Sequence, residues 1–300
     1  MKSNIIISVL VFFLGSCGLI HRNYVITPYD KMPNTKNHNT CKMLKDSVAL
    51  YAIFVDVGIY HPWTEFDIKS AQDSIRKACD WIENEASIKS IQLKIGTSFH
   101  RQSNRSTIYE KSAKTALSIN GLRGNQQKSY KKLTPWADAI ASYAGRGLKY
   151  KASNGIHQKF KINSIQNLNL ALRDQMKMEN VAIMFFVNGY YENDPSISFY
   201  TNTAGQNVEY SIITTKNPAV IAHEFFHLFG AVDLYQNMNY PNFNFEELDK
   251  KFPNEIMNIQ HKEIDKLNVS PITSYFLGWQ DTLDHANTRL LFHKLNVLEY

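Results

Sequence analysis

Two imidazoles and two carboxylates stand at short fixed spacings in the run Asn217-Pro-Ala-Val-Ile-Ala-His223-Glu224-Phe-Phe-His227-Leu-Phe-Gly230-Ala-Val-Asp233. On a helix, His223 and His227 fall about 40° apart on one face, one turn from each other. Two imidazoles so placed can hold one zinc ion from the same side. Glu224 falls about 100° round from His223, beside the metal rather than on it, which suits a base taking a proton from a metal-activated water. A catalytic zinc site ordinarily has three protein ligands and a water, so the pair is one ligand short. Gly230 lets the chain turn sharply after His227, and Asp233 can then come back as the third ligand. The expected cofactor is one catalytic Zn2+. Other donors stay open for the third position: His261, His285 and His293, or a distant carboxylate at Glu246, Glu247 or Glu255.

The helix that would carry this chemistry is well marked. Asn217 can cap it, Pro218 fits its first turn, where the missing N–H would be unpaired anyway, and Gly230 stands where it should stop. Ile221, Phe225, Leu228 and Phe229 gather roughly opposite the histidines, so the apolar side can enter a core while the imidazoles face a cleft. Upstream, Val48 to Val57 reads as a strand rich in β-branched and aromatic residues. A long amphipathic helix follows over about Thr64 to Ala86, with Ile68, Ala71, Ile75, Ala78, Cys79, Ile82 and Ala86 on its buried face. Strands are expected at Ser90 to Thr97, at the strongly apolar run Val181 to Val187, and more briefly at Ile197 to Tyr200 and Tyr210 to Thr215. Helices are expected at Pro135 to Tyr143 and Ile165 to Met178. Residues 98 to 128 are polar and give no assignment.

The pattern H-E-x-x-H-x-x-G-x-x-D resembles the metzincin branch of zinc proteases. Most of that branch has His as the last ligand; a minority, including the snapalysin type, has Asp, as this chain does at Asp233. The resemblance implies an α+β, zincin-like fold: a twisted mixed β-sheet, a long backing helix, an active-site helix, and a methionine-bearing turn below the metal. Asn254-Glu255-Ile256-Met257-Asn258 fits that turn, with Met257 packing under the histidines, and Pro271 to Gly278 would be the helix after it. The resemblance also implies a zinc-dependent endopeptidase with His223, His227 and Asp233 as ligands and Glu224 as general base. An edge strand would pair with extended protein or peptide substrate, for which Ile197 to Tyr200 is the candidate. Tyr235 and Tyr275 are candidates for steadying the oxyanion. The specific motifs span roughly 180 to 280; over 48 to 97 only the order strand, helix, strand agrees.

The N-terminus carries a second signal. Lys2, an apolar run from Ile5 to Leu14, and then Gly15, Ser16 and Cys17 have the layout of a secretory signal, too short to span a membrane comfortably. Leu14-Gly15-Ser16-Cys17 resembles a bacterial lipobox. That resemblance implies a signal peptide over 1–16, lipidation of Cys17, and anchoring in the cell envelope, with Gly18 favouring the outer membrane. Residues 17–46 read as a tether, punctuated by Pro28 and Pro33. Residues 47–300 then form one protease domain with an insertion at about 98–180.

Composition narrows the alternatives. The chain has 300 residues, 44% hydrophobic and 20% charged, which excludes disordered and collagen-like classes. Its net charge of +6 is scattered apart from short clusters such as Lys128 to Lys132, so no nucleic-acid partner is expected. Cys79 lies on the apolar face of the long helix, where a buried thiol is common. Pairing with Cys41 in an exported protein is the other option. Oligomeric state is not legible.

Overall fold

The computed structural model describes residues 41–291 apart from 42, 59–61, 102–105, 115, 123–125, 149–160, 189–194, 200–207, 236–241 and 259–262. The signal segment, Cys17, most of the tether, His261 and His293 lie outside the described residues. Among those described, no helix is long and apolar enough to cross a membrane.

The chain begins its core with β1 (Asp46–Asp56), whose residues Val48 to Val55 are all buried. Alternation sends Val48, Leu50, Ala52 and Phe54 to one face and Ala49, Tyr51, Ile53 and Val55 to the other, and each set enters a separate apolar cluster. A strand greasy on both faces needs cover on both, as parallel sheets do. Helix α1 (Glu65–Ile88) supplies part of one cover. Thr64 and Asp67 form a capping box at its start, and the seven apolar positions read from the sequence are buried.

Strand β2 (Leu93–Phe99) lies parallel to β1 along Asp46 to Ala52, and β3 (Thr107–Tyr109) continues along the same side of β1 at Phe54 to Asp56. Strands β4 (Asn180–Val187), β5 (Ile197–Phe199) and β6 (Tyr210–Ile213) complete a six-stranded sheet in the order β2-β1-β4-β6-β5. Every pairing is parallel except β5 with β6, so one antiparallel strand forms an edge. The fold is mixed α/β with a mostly parallel sheet, compatible with the expected α+β class.

Among the described residues, three α-helices lie between β3 and β4: α2 (Ile119–Leu122), α3 (Gln126–Ala144) and α4 (Ile165–Met176). The sequence placed the start of α3 at Pro135; the structure starts it at Gln126 with Pro135 inside. A proline there forfeits one backbone hydrogen bond. Leu133, Trp136, Ala137, Ile140, Ala141 and Ala144, all buried, line one face across that point and outweigh the loss. These helices cover the second face, where Trp136 meets Phe185 edge-on.

After β6 come α5 (Pro218–Leu228), α6 (Phe245–Lys251), α7 (Pro271–Phe276) and α8 (His285–Leu291). Helix α5 packs with α1 on the first face through Trp81 and Phe226, which in turn meets Trp279. Cys41 and Cys79 are both free and buried in this core, with burial pushing both thiols up.

Candidate metal centre

Helix α5 is built as its sequence demands. The Asn217 side chain accepts from the Ala219 N–H, and Pro218 occupies the first turn. Ile221, Phe225, Leu228 and Phe229 are all fully buried, each contributing roughly 1.5–3 kcal/mol. At the C-terminus the Gly230 N–H donates to the His227 carbonyl and the Ala231 N–H to the Phe226 carbonyl. This is a Schellman stop, and Gly230 takes the left-handed conformation it needs, at φ 98°. The reversal brings Asp233 back over the last turn of the helix.

His223, His227 and Asp233 are the one group of possible metal ligands among the described residues, and all three are buried. The two Nε2 atoms lie 3.1 Å apart. Asp233 Oδ1 lies 3.3 Å from Nε2 of His223 and 3.2 Å from that of His227. Both Nδ1 atoms face backbone carbonyls, Ile256 for His223 at 3.1 Å and Ala231 for His227 at 2.8 Å. A carbonyl only accepts, so each Nδ1 carries a proton, and each imidazole, when neutral, turns a lone pair at Nε2 toward the centre. Two nitrogen lone pairs and a carboxylate oxygen thus converge. Tetrahedral zinc with bonds of about 2.0–2.1 Å has ligand-to-ligand edges of about 3.3 Å, which matches all three separations.

The electrostatics agree. Burial alone would push the His227 imidazole down, but the Asp233 carboxylate outweighs it, with help from Glu224 and the Ala231 carbonyl. The pKa rises to about 9. Burial opposes ionisation of Asp233, yet the imidazoles hold its carboxyl well below the usual range. Without a metal, a proton is drawn in as the missing cation.

The segment around Met257 braces both pieces that carry the candidate ligands. Ile256 supplies the carbonyl for His223, and the Met257 carbonyl accepts from the Leu234 N–H at 2.9 Å, beside Asp233. Met257 itself is fully buried in the first core. Glu255 is equally buried, and its carboxylate accepts from the N–H groups of Met257 and Ser270 and from the Thr273 hydroxyl. It pins the turn to the start of α7 and is spent as a ligand. Glu246, Glu247 and His285 are exposed on α6 and α8, away from the converging donors. Cys41 is not among those donors either.

Glu224 follows His223 on α5, and its carboxylate accepts from the Ser198 hydroxyl of β5 at 2.6 Å. The two tyrosines part company. Tyr275 is buried against Phe276. Tyr235 is 39% exposed, with its ring stacked on His223 at 6.4 Å between centroids. Burial, together with the Asp233 and Glu224 charges, raises its pKa, so the phenol keeps its proton at neutral pH. Ser198 carried no signal in the sequence: a serine in a short strand becomes informative only once the sheet register places it under Glu224.

Neither a scan against protein-family models nor a search of curated proteins found a match to this chain.

Proposed function

We propose that this protein is a zinc-dependent endopeptidase of the metzincin type, with His223, His227 and Asp233 as ligands. The observation that carries the reading is the convergence of three acceptor atoms at tetrahedral-edge spacing, with both imidazoles oriented by backbone carbonyls. Zinc bound there would supply Lewis-acid chemistry, acidifying a water and polarising the substrate carbonyl. Glu224 takes the proton of the attacking water and passes it to the leaving nitrogen. Tyr235 offers its hydroxyl to the developing oxyanion. The antiparallel edge strand β5 receives an extended peptide by main-chain pairing. In this reading the mixed sheet, the backing helix α1, the helix α5 and the turn at Met257 make a zincin-like fold. The lipobox-like N-terminus would hold the enzyme in the cell envelope through lipid on Cys17, with extracytoplasmic proteins as substrates.

The test is metal content and casein cleavage for the purified chain with and without Glu224→Ala. The parent should hold about one zinc and cleave, and the variant should hold zinc and not cleave. A parent that binds no metal would overturn the reading. Zinc in both with cleavage in neither would favour a binding protein that keeps the site without the chemistry.

A further inference from the structure

Strand β5 is buried on both faces. Ile197 and Phe199 enter the second core beneath α3 and α4, together with Tyr210 and Ile212 of β6. Their neighbours on the opposite face are Ser198 and Ser211, paired directly across the two strands and both buried. Elsewhere this face presents hydrocarbon, including Leu50, Ala52, Met184, Phe186 and Ile213. Two hydroxyls buried side by side are costly without hydrogen-bond partners.

Their partners belong to the residue after the first histidine. Ser198 Oγ lies 2.6 Å from Ser211 Oγ, 2.6 Å from Glu224 Oε2 and 2.9 Å from the Glu224 carbonyl. One hydroxyl has one proton to give. With the Ser211 proton directed to Ser198 Oγ, the Ser198 proton is left for Glu224, and the carboxylate is the stronger of the two acceptors. The result is a buried chain from Ser211 through Ser198 to Glu224.

We propose that Ser198 is a positioning residue that fixes the Glu224 carboxylate to the edge strand. The proposal rests on the reading of Glu224 as the general base. A base must present its carboxylate in one direction, and the Ser198 hydroxyl, held between the Glu224 side chain at 2.6 Å and the Glu224 carbonyl at 2.9 Å, fixes that direction. The strand it stands on is also the one proposed to pair with substrate, so the tether sets the base relative to the peptide being cleaved.

The test compares Ser198→Ala, Ser198→Thr and Ser211→Ala. Ser198→Ala should lower kcat about tenfold to a hundredfold with KM within about twofold and zinc content unchanged. Ser198→Thr, which keeps the hydroxyl, should recover most of the loss, and Ser211→Ala should cost less than Ser198→Ala. A second readout needs no metal or substrate: a double-mutant cycle of Ser198→Ala with Glu224→Ala on urea unfolding in EDTA. The double variant's equilibrium constant should differ by about tenfold from the product of the single effects. The proposal is overturned if Ser198→Ala keeps kcat within twofold, or if the two substitutions act independently in the cycle. Should the parent cleave nothing, the protease reading fails, and the cycle alone decides whether Ser198 holds Glu224.

Discussion

Two buried carboxylates, one on each side of the sheet, show what separates a structural acid from a candidate ligand. Glu110, between β3 and α2, accepts from the Gly58 and Leu117 N–H groups and from the Trp136 indole N–H. It is surrounded by donors, and its charge is spent tying three segments of the second layer together. Asp233, in the first layer, instead faces two imidazoles whose Nδ1 protons go to Ile256 and Ala231, so that only an added cation, a proton on His227 or a metal, can answer its charge. Acceptors gathered around a carboxylate call for a cation, whereas donors do not. The difference lies in the partners: both side chains are 4–5% exposed.

The largest effect that would sharpen this contrast is on metal content. Asp233→Ala should reduce bound zinc from about one per chain to a small fraction, because the site falls to two protein ligands. In EDTA the same variant should lose about 1–2 kcal/mol relative to the parent, since the proton held on His227 loses its anion. Glu110→Ala should do the reverse. It leaves three donors without their acceptor and should cost about 2–4 kcal/mol in urea unfolding while zinc stoichiometry holds. A Glu110 variant that lost zinc while still folded would break the comparison.

Glu255 joins the two cases, being a donor-surrounded acid beside the proposed metal site. Glu255→Ala should lower stability as Glu110→Ala does. It should also weaken zinc roughly tenfold, because the turn it holds supplies the carbonyl that orients His223. Competition with a chelator of known affinity measures it. Zinc affinity unchanged in a folded Glu255 variant would show that the turn orients His223 without this acid.

The same contrast explains what was legible beforehand. The spacing of His223, Glu224 and His227 is helical, and a helix fixes relative directions from sequence alone, so the shared face of the histidines and the separate direction of Glu224 followed at once. The caps at Thr64 and Asn217 and the buried stripe of α1 were local patterns of the same kind. Asp233 needed only a glycine turn. Glu110 was not legible: its donors lie 7, 26 and 52 residues away, and no periodicity joins them. The Ser198–Ser211 pair waited on sheet register for the same reason. Pro135 misled about α3, because a proline reads as a helix start until the packed face on both sides of it is known. Between Tyr235 and Tyr275 the sequence had no basis for choice, since exposure follows from the reversal after Gly230.

Asp67 supplies a third case, a buried carboxylate beside a permanent cation. It pairs with the Lys216 ammonium and accepts from the Thr64 hydroxyl and N–H, joining the start of α1 to the approach to α5. Lys216 foremost, and then Thr64, hold its carboxyl below the ordinary range against the opposing effect of burial. A carboxyl lowered by folding contributes stability that is present above its unfolded pKa of about 3.9 and is lost as pH falls through the lower folded value. Asp67→Asn should therefore cost about 1 kcal/mol at neutral pH, the smallest effect considered, and the gap to the parent should close on acidification below about pH 4. EDTA should leave that gap unchanged, because here the chain provides its own cation. If the gap instead tracked bound zinc, the charge at the start of α1 would be coupled to the metal centre through α5, and the two sites could not be treated as separate solutions to burying a carboxylate.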